Sequence, residues 1–388
     1  MILIKLRLMD AFILTSDIAY YGNMLYNTGL DLQDRTFRIL YTTHDVLRFS
    51  STSFLTEHFS PTFALLAPLF QLLPNPLFLT VAQPILIAIA GMGLFRLTQV
   101  VIKRYDAPVV ANVFPLTFLV MYLVNASNVP TTADSIYGFH HDSLIPPLMA
   151  WGLVFALQAR WRLALITLLL LLGVKENLPI VISAFFFACL PFGWLMPRKK
   201  AVVGIILCIA FFAGCYWFQF RTENRHVGIV YRFFDLDSIL AALRMIDRWP
   251  LVLHLWPAWF ALPILLPGAA EFSLQLMGAT VQYDWHSYPL IMLSMIGTIL
   301  TLTRLTALRR HSQVQSIAIV ALVLGLMATP IVADGMRTYR NLHVASLQLP
   351  VQADAAALAK LAALIPADAK LLTTSDLLVF FSKRRHLL

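Results

Sequence analysis

Charge is scarce in this chain. Asp, Glu, Lys and Arg make up 13% of its 388 residues, about half the share of a soluble domain. With 59% hydrophobic residues and a mean hydropathy of +0.75, it has too little polar surface to cover soluble domains. Cysteine is nearly absent too. Cys189, Cys208 and Cys215 all sit inside apolar runs, which excludes a disulfide framework and metal-binding spacing and makes them small buried hydrophobes. No Gly-rich phosphate loop, nucleophile elbow or Cys-His zinc pattern occurs. The net charge of +9 would suit nucleic acid, but the basic residues fall in short clusters between apolar runs. That is the positive-inside pattern, and nucleic acid is set aside.

What is abundant is apolar sequence long enough to cross a bilayer, about 20 residues per helix. Candidate spans are Leu77–Val101, Ala107–Asn125, Leu178–Met196, Ala201–Phe220, Tyr288–Thr303 and Val314–Ala333. Ser143–Gln158 and Arg162–Val174, joined by Arg160-Trp161-Arg162, read as a tight hairpin. Trp249–Gly278 is interrupted by Pro250, Pro257, Pro263 and Pro267, and reads as a broken or re-entrant pair shielded by protein or a water-filled cavity. The chain is therefore expected to be an all-α polytopic membrane bundle.

Basic residues set the orientation. Lys103-Arg104, Arg160/Arg162, Arg198-Lys199-Lys200 and Arg304/Arg309/Arg310 occupy short loops, and all four fit the cytoplasmic side. The outer side then receives the long first loop, 16–60, and most of the acids and histidines; His254 and Glu271 are the main exceptions. Phe59–Leu73, about 15 residues, is too short to cross and suits a helix along the outer interface, started by Ser60-Pro61. Residues 1–345 form the membrane domain and 346–388 an outer soluble tail. In the tail, Leu358, Leu361, Ala362 and Ile365 recur at helical spacing up to Pro366. Lys370–Thr374 suits a strand and Asp376–Phe381 a short helix, making a small α/β appendage that reads as cut short. Met1–Thr15 carries Lys5, Arg7 and Asp10, too many charges for a span, so a further helix is expected upstream.

Ionisable residues at membrane depth or its edge are functional candidates by default. Asp17 opens an aromatic stretch and reads as a functional candidate or as a helix cap. Glu57-His58 and His140-His141-Asp142 each place imidazole beside carboxylate at the start of an apolar segment. Such groups do acid–base work or hold a divalent metal ion. Lys175-Glu176 is either a mutual ion pair or the polar wall of a cavity. Asp284, His286 and Tyr288 lie in a loop that suits an aromatic belt as well as a site. Acids among aromatics suit a sugar or a lipid headgroup.

At these residues the chain resembles a bacterial family of predicted membrane proteins, domain of unknown function 2079. The likeness rests on Asp17-Ile18-Ala19-Tyr20, His58-Phe59-Ser60-Pro61, Ala67-Pro68-Leu69-Phe70, Gln83, Phe139-His140, Lys175-Glu176-Asn177 and His286-Ser287-Tyr288-Pro289. It continues through Leu364-Ile365-Pro366 to Lys383-Arg384-Arg385. The layout is similar to membrane glycosyltransferases of the GT-C type. That likeness implies a site on the outer face of the bacterial cytoplasmic membrane, a polyprenyl-phosphate-linked sugar donor, and Asp17 as general base on the acceptor. His58, His140 and neighbouring acids would hold the donor phosphate or an ion. Some relatives carry an acid pair where Asp17 stands alone. A transporter or flippase of a lipid-linked substrate is the alternative, favoured by the proline-broken segment; a noncatalytic membrane protein is a third.

Overall fold

The structure is a computed structural model. It describes residues 2–10, 16–35, 39–43, 51–56, 58–107, 110–125, 139–191, 193, 195–221, 261–277, 288–307, 313–347, 355–366 and 369. Regular structure among them is almost entirely helical. The exceptions are two three-residue strands, β1 (Tyr41–Thr43) and β2 (Ser51–Ser53), paired antiparallel with Tyr41 opposite Ser53.

Proline decides where several apolar runs become helix. Lacking an N–H, it is tolerated best in the first turn. Pro76 opens α5 (Pro76–Tyr105), and Pro115 is second in α6 (Phe114–Leu123). Pro146 and Pro147 follow Ile145 in α7 (Ile145–Leu157), and Pro179 is second in α9 (Leu178–Cys189). Two expected spans are shorter than read: α6 starts late, at Phe114-Pro115, and α9 ends early, at Cys189 ahead of Pro191. At 10 and 12 residues, α6 and α9 run only about 15 and 18 Å, against a hydrocarbon core of about 30 Å. Among the described residues, four segments are long and apolar enough to cross: Leu77–Tyr105, Arg198–Gln219, Tyr288–Ala307 and Ala321–Leu347.

The other expectations divide. Arg160 and its neighbours do make a tight hairpin, with Ala159 at φ 58° between α7 and α8 (Trp161–Leu172). Phe59–Leu73 is not one helix but two, α3 (Pro61–Ala64) and α4 (Ala67–Leu72), because Pro68 must restart the chain in a first turn. They bury Phe63, Ala67 and Phe70 and expose Leu65, Leu69, Leu72 and Leu73, a division that suits a membrane interface. Met1–Thr15 is not simply polar: α1 (Ile2–Asp10) packs on α5, with Lys5 buried and donating to Gln83. Within the proline-rich segment, 262–277 form a single helix, α11 (Leu262–Met277), following α10 (Arg198–Arg221).

α12 (Tyr288–Ala307) is the central strut, buried from Tyr288 through Leu300 against α5, α7 and α11. α13 (Gln313–Leu347) continues the expected span Val314–Ala333 as one helix up to the boundary expected at residue 346. α14 (Ala355–Leu364) matches the helical spacing of the tail; the expected strand and short helix after it lie outside the described residues. A second, smaller apolar cluster joins α2 (Ser16–Gln33), the residues flanking β1 and β2, α3 and α4 through Ile18, Tyr21, Phe54, Phe63 and Phe139.

The bundle has two chemically different ends. At one, Arg104 at the end of α5 donates to Leu157 O at the end of α7, at 3.4 Å. There too Lys200, early in α10, lies 5.6 Å from the Trp161 ring centre, and Arg304 acts electrostatically on Tyr105. The basic clusters thus meet. The opposite end of α7 starts from the 3-10 turn His141–Leu144, about 20 Å away along the helix.

Candidate functional site

His140 opens that turn in extended conformation (φ −137°, ψ 140°), and its Nδ1 accepts from the Asp142 N–H at 3.3 Å. Ser143 Oγ donates to His140 O at 2.7 Å. These local bonds turn three polar residues inward, and His141, Asp142 and Ser143 are fully buried.

The α8–α9 connection delivers the next two. Lys175 and Glu176 do not pair with each other, contrary to one expectation. Lys175 Nζ donates to Asp142 Oδ2 at 2.7 Å. Glu176 instead faces His58, Oε1 to Nδ1 at 3.3 Å, and its Oε2 accepts from the Phe59 N–H at 3.1 Å. The start of α3 is fixed to the same connection: Thr62 N–H donates to Gly173 O at 2.9 Å and Thr62 Oγ1 to Leu170 O at 2.6 Å. Gly173 permits this approach, because a Cβ there would sit 2.5 Å from Thr62 Oγ1.

Aromatic rings wall the cluster. Tyr21 of α2 stands edge-on to His140 and His141, at 5.7 and 5.8 Å, with its hydroxyl 3.3 Å from His141 Nδ1. Phe54 lies 5.3 Å from His58 and 5.5 Å from His141, and the two imidazoles are themselves 5.9 Å apart. Phe59 packs on Phe211 and Phe218 of α10.

Charge states follow from these contacts. Burial lowers the imidazole of His141 to about 3, although Asp142 opposes this, so His141 is neutral. Burial also pulls His58 down, but the hydrogen bond and charge of Glu176 outweigh it and raise His58 above its usual 6.5. Burial pushes Glu176 up, and the His58 hydrogen bond and the charges of His58 and Lys175 overturn that and hold it at about 2. For Lys175, burial lowers the value while Asp142, Glu176 and Glu271 raise it, with a net rise. The site is thus a set of charged pairs around one neutral histidine.

His140, His141 and Asp142 each offer a ligand atom within 4.8 Å of the others. Two of the atoms are already engaged. Asp142 Oδ2 already binds an ammonium at 2.7 Å, and His140 Nδ1 is engaged by a backbone N–H. Lys175 supplies the positive charge that a metal would bring.

The structure therefore brings His58, His140, His141, Asp142, Lys175 and Glu176 together. Position 17 lies in α2, one helical turn before Tyr21, although the side chain of Asp17 is outside the described ones. Glu57, Asp284 and His286 fall outside the described residues. Tyr288 is fully buried in the larger apolar cluster. Sequence reasoning missed the aromatic wall, and it set Glu271 apart from the outer-face acids, although this buried carboxylate of α11 acts by its charge on Lys175. An acid in an apolar segment was the available signal.

Long apolar helices, exposed leucines and a polar cluster at one end define a multi-span helical protein of the lipid bilayer. More specifically, the chain belongs to the family of predicted membrane proteins designated DUF2079, whose profile matches residues 30–223, half of its length. No curated protein and no solved structure shows significant similarity to it.

Proposed function

We propose that this protein is a membrane glycosyltransferase of the GT-C type, taking its sugar from a polyprenyl-phosphate carrier at the end of the bundle opposite the basic residues. The observation that carries the reading is convergence. Histidine, lysine and carboxylates from three separate stretches meet beside the interfacial helices α3 and α4, where a lipid headgroup would lie. Position 17 shares one face of α2 with Tyr21, four residues on, and Tyr21 contacts both His140 and His141.

In the reaction, Asp17 takes the proton of an acceptor hydroxyl as its oxygen bonds to the anomeric carbon. The bond from that carbon to the phosphate oxygen breaks, and polyprenyl phosphate leaves with the electron pair. His58, about a third exposed and kept protonated by Glu176, offsets the charge developing on the leaving phosphate. The aromatic wall suits the apolar face of a sugar ring. A flippase would move the same substrate without breaking that bond.

The test is release of polyprenyl phosphate from labelled lipid-linked sugar by the protein in liposomes. Asp17→Asn keeps the size and polarity of the side chain in the first turn of α2 but removes the base, and release should fall on the order of a hundredfold. Near wild-type release in that variant removes Asp17 from the mechanism. Translocation of intact substrate without release establishes the carrier.

A further inference from the structure

A cavity of about 330 Å³ runs along the bundle from the basic end, at Trp161, Arg162 and Lys200, to Leu148 and Leu171 at the other end of α7 and α8. Its walls come from α7, α8, α9, α10, α11 and α12, and are almost wholly apolar, among them Leu153, Leu168, Phe186 and Leu293. Its mouth faces the bilayer between α8 and α10, where the lining residues Leu165 and Val203 are 43% and 51% exposed. The charged residues of its lining are Arg162 and Lys200, both exposed, and Trp161 lies between them in the rim with Lys200 over its ring. Arg160, Arg198 and Lys199 extend the positive surface beside that rim.

We propose that this cavity is a binding site for one anionic phospholipid, taken from the leaflet on the basic side. One acyl chain enters between α8 and α10, and the phosphate rests on Arg162 and Lys200. The shape and the charge each select this occupant. An apolar slot open to the side excludes soluble anions, since a free phosphate gains nothing from the walls. A zwitterionic lipid would fill the slot equally well but gain less from paired cations, whose attraction for anionic headgroups adds per residue. The amphipathic indole of Trp161 suits the headgroup boundary between slot and rim. The charged rim that holds the headgroup lies at the opposite end of α7 from the proposed transferase chemistry.

Native mass spectrometry of the full chain, released from mixed micelles of equal phosphatidylglycerol and phosphatidylcholine, tests this. The wild type should retain one phosphatidylglycerol in clear preference. Arg162→Gln with Lys200→Gln should cut that preference by about fivefold for each cation removed. Val203→Trp, at an exposed position of the mouth, should abolish retention while leaving the bundle folded, and covers the case in which the double variant misfolds. Equal retention of the two lipids by the wild type overturns the proposal. So does undiminished preference in a folded double variant, or retention that survives Val203→Trp.

Discussion

Lys175 and Glu176 are neighbours in sequence, yet their ion pairs are of opposite kinds. Lys175 pairs with Asp142, whose side chain is 1% exposed. Glu176 pairs with His58, a contact open to solvent on both sides, at 37% and 28% exposure. A buried pair is strongly destabilising to break, because removing one partner strands the other charge. A partly exposed pair contributes little to stability, because water and salt screen it. It remains free to exchange a proton or meet a ligand. One dipeptide thus supplies both the clamp that holds the His140-His141-Asp142 turn and the group that can act.

The comparison breaks most visibly at Lys175. Lys175→Met should destabilise the protein by about 3 kcal/mol, read as a lowered unfolding temperature in detergent. Adding Asp142→Asn should recover part of the loss, because the stranded carboxylate is gone. Next is Gly173→Ala, which presses on Thr62 where α3 meets the α8–α9 connection. Overpacking at this point should cost about 1–3 kcal/mol and weaken the His58–Glu176 contact that depends on the same docking. The smallest stability effect is expected for His58→Gln, well under 1 kcal/mol by thermal unfolding because the pair is screened. Phosphate release should nevertheless drop clearly in that variant.

Acidity sharpens the same contrast. The folded value of His58 lies above 6.5, so its contribution to stability is complete below about pH 6.5 and fades as pH rises through the raised value. Glu176 is depressed from 4.5 to about 2, so its contribution is present above pH 4.5 and fades as pH falls toward 2. The pair is therefore fully charged between those limits. Activity that needs protonated His58 should decline on the alkaline side of this window, measured as release rate against pH.

The two ends of the bundle can be separated as well. Gln33 and Lys199 are both exposed, one at the end of α2, which packs on β1, and one in the basic rim. Cysteines placed there should react with an impermeant reagent from opposite sides of the membrane. Reaction of both from one side would undo the assignment of the site to the face away from the basic loops.

Much of this was legible in the chain, and the parts that were not have physical causes. Apolar runs and basic clusters marked the bundle and its ends because lipid imposes both patterns. Helix lengths were misjudged where composition was read without proline's power to start or stop a helix, as at Pro115 and Pro191. His140-His141-Asp142 and Lys175-Glu176 stood out as charges beside apolar segments, but their pairing did not. Adjacent opposite charges suggest a local bond, whereas Lys175 and Glu176 leave the α8–α9 connection toward different partners. Tyr21 and Phe54 were hidden because aromatics at a membrane edge have an ordinary explanation in the interface belt.

The central claim is that Glu176 tunes His58 while burial silences His141. Histidine-labelled NMR of the full chain, titrated from pH 4 to pH 9, tests it directly. The account predicts a His58 imidazole that loses its proton above 6.5 in the wild type, with His141 showing no titration in that range. In Glu176→Gln the His58 midpoint should move to lower pH. A His58 midpoint at or below 6.5 that ignores Glu176→Gln, or a His141 that titrates near neutrality, would contradict it.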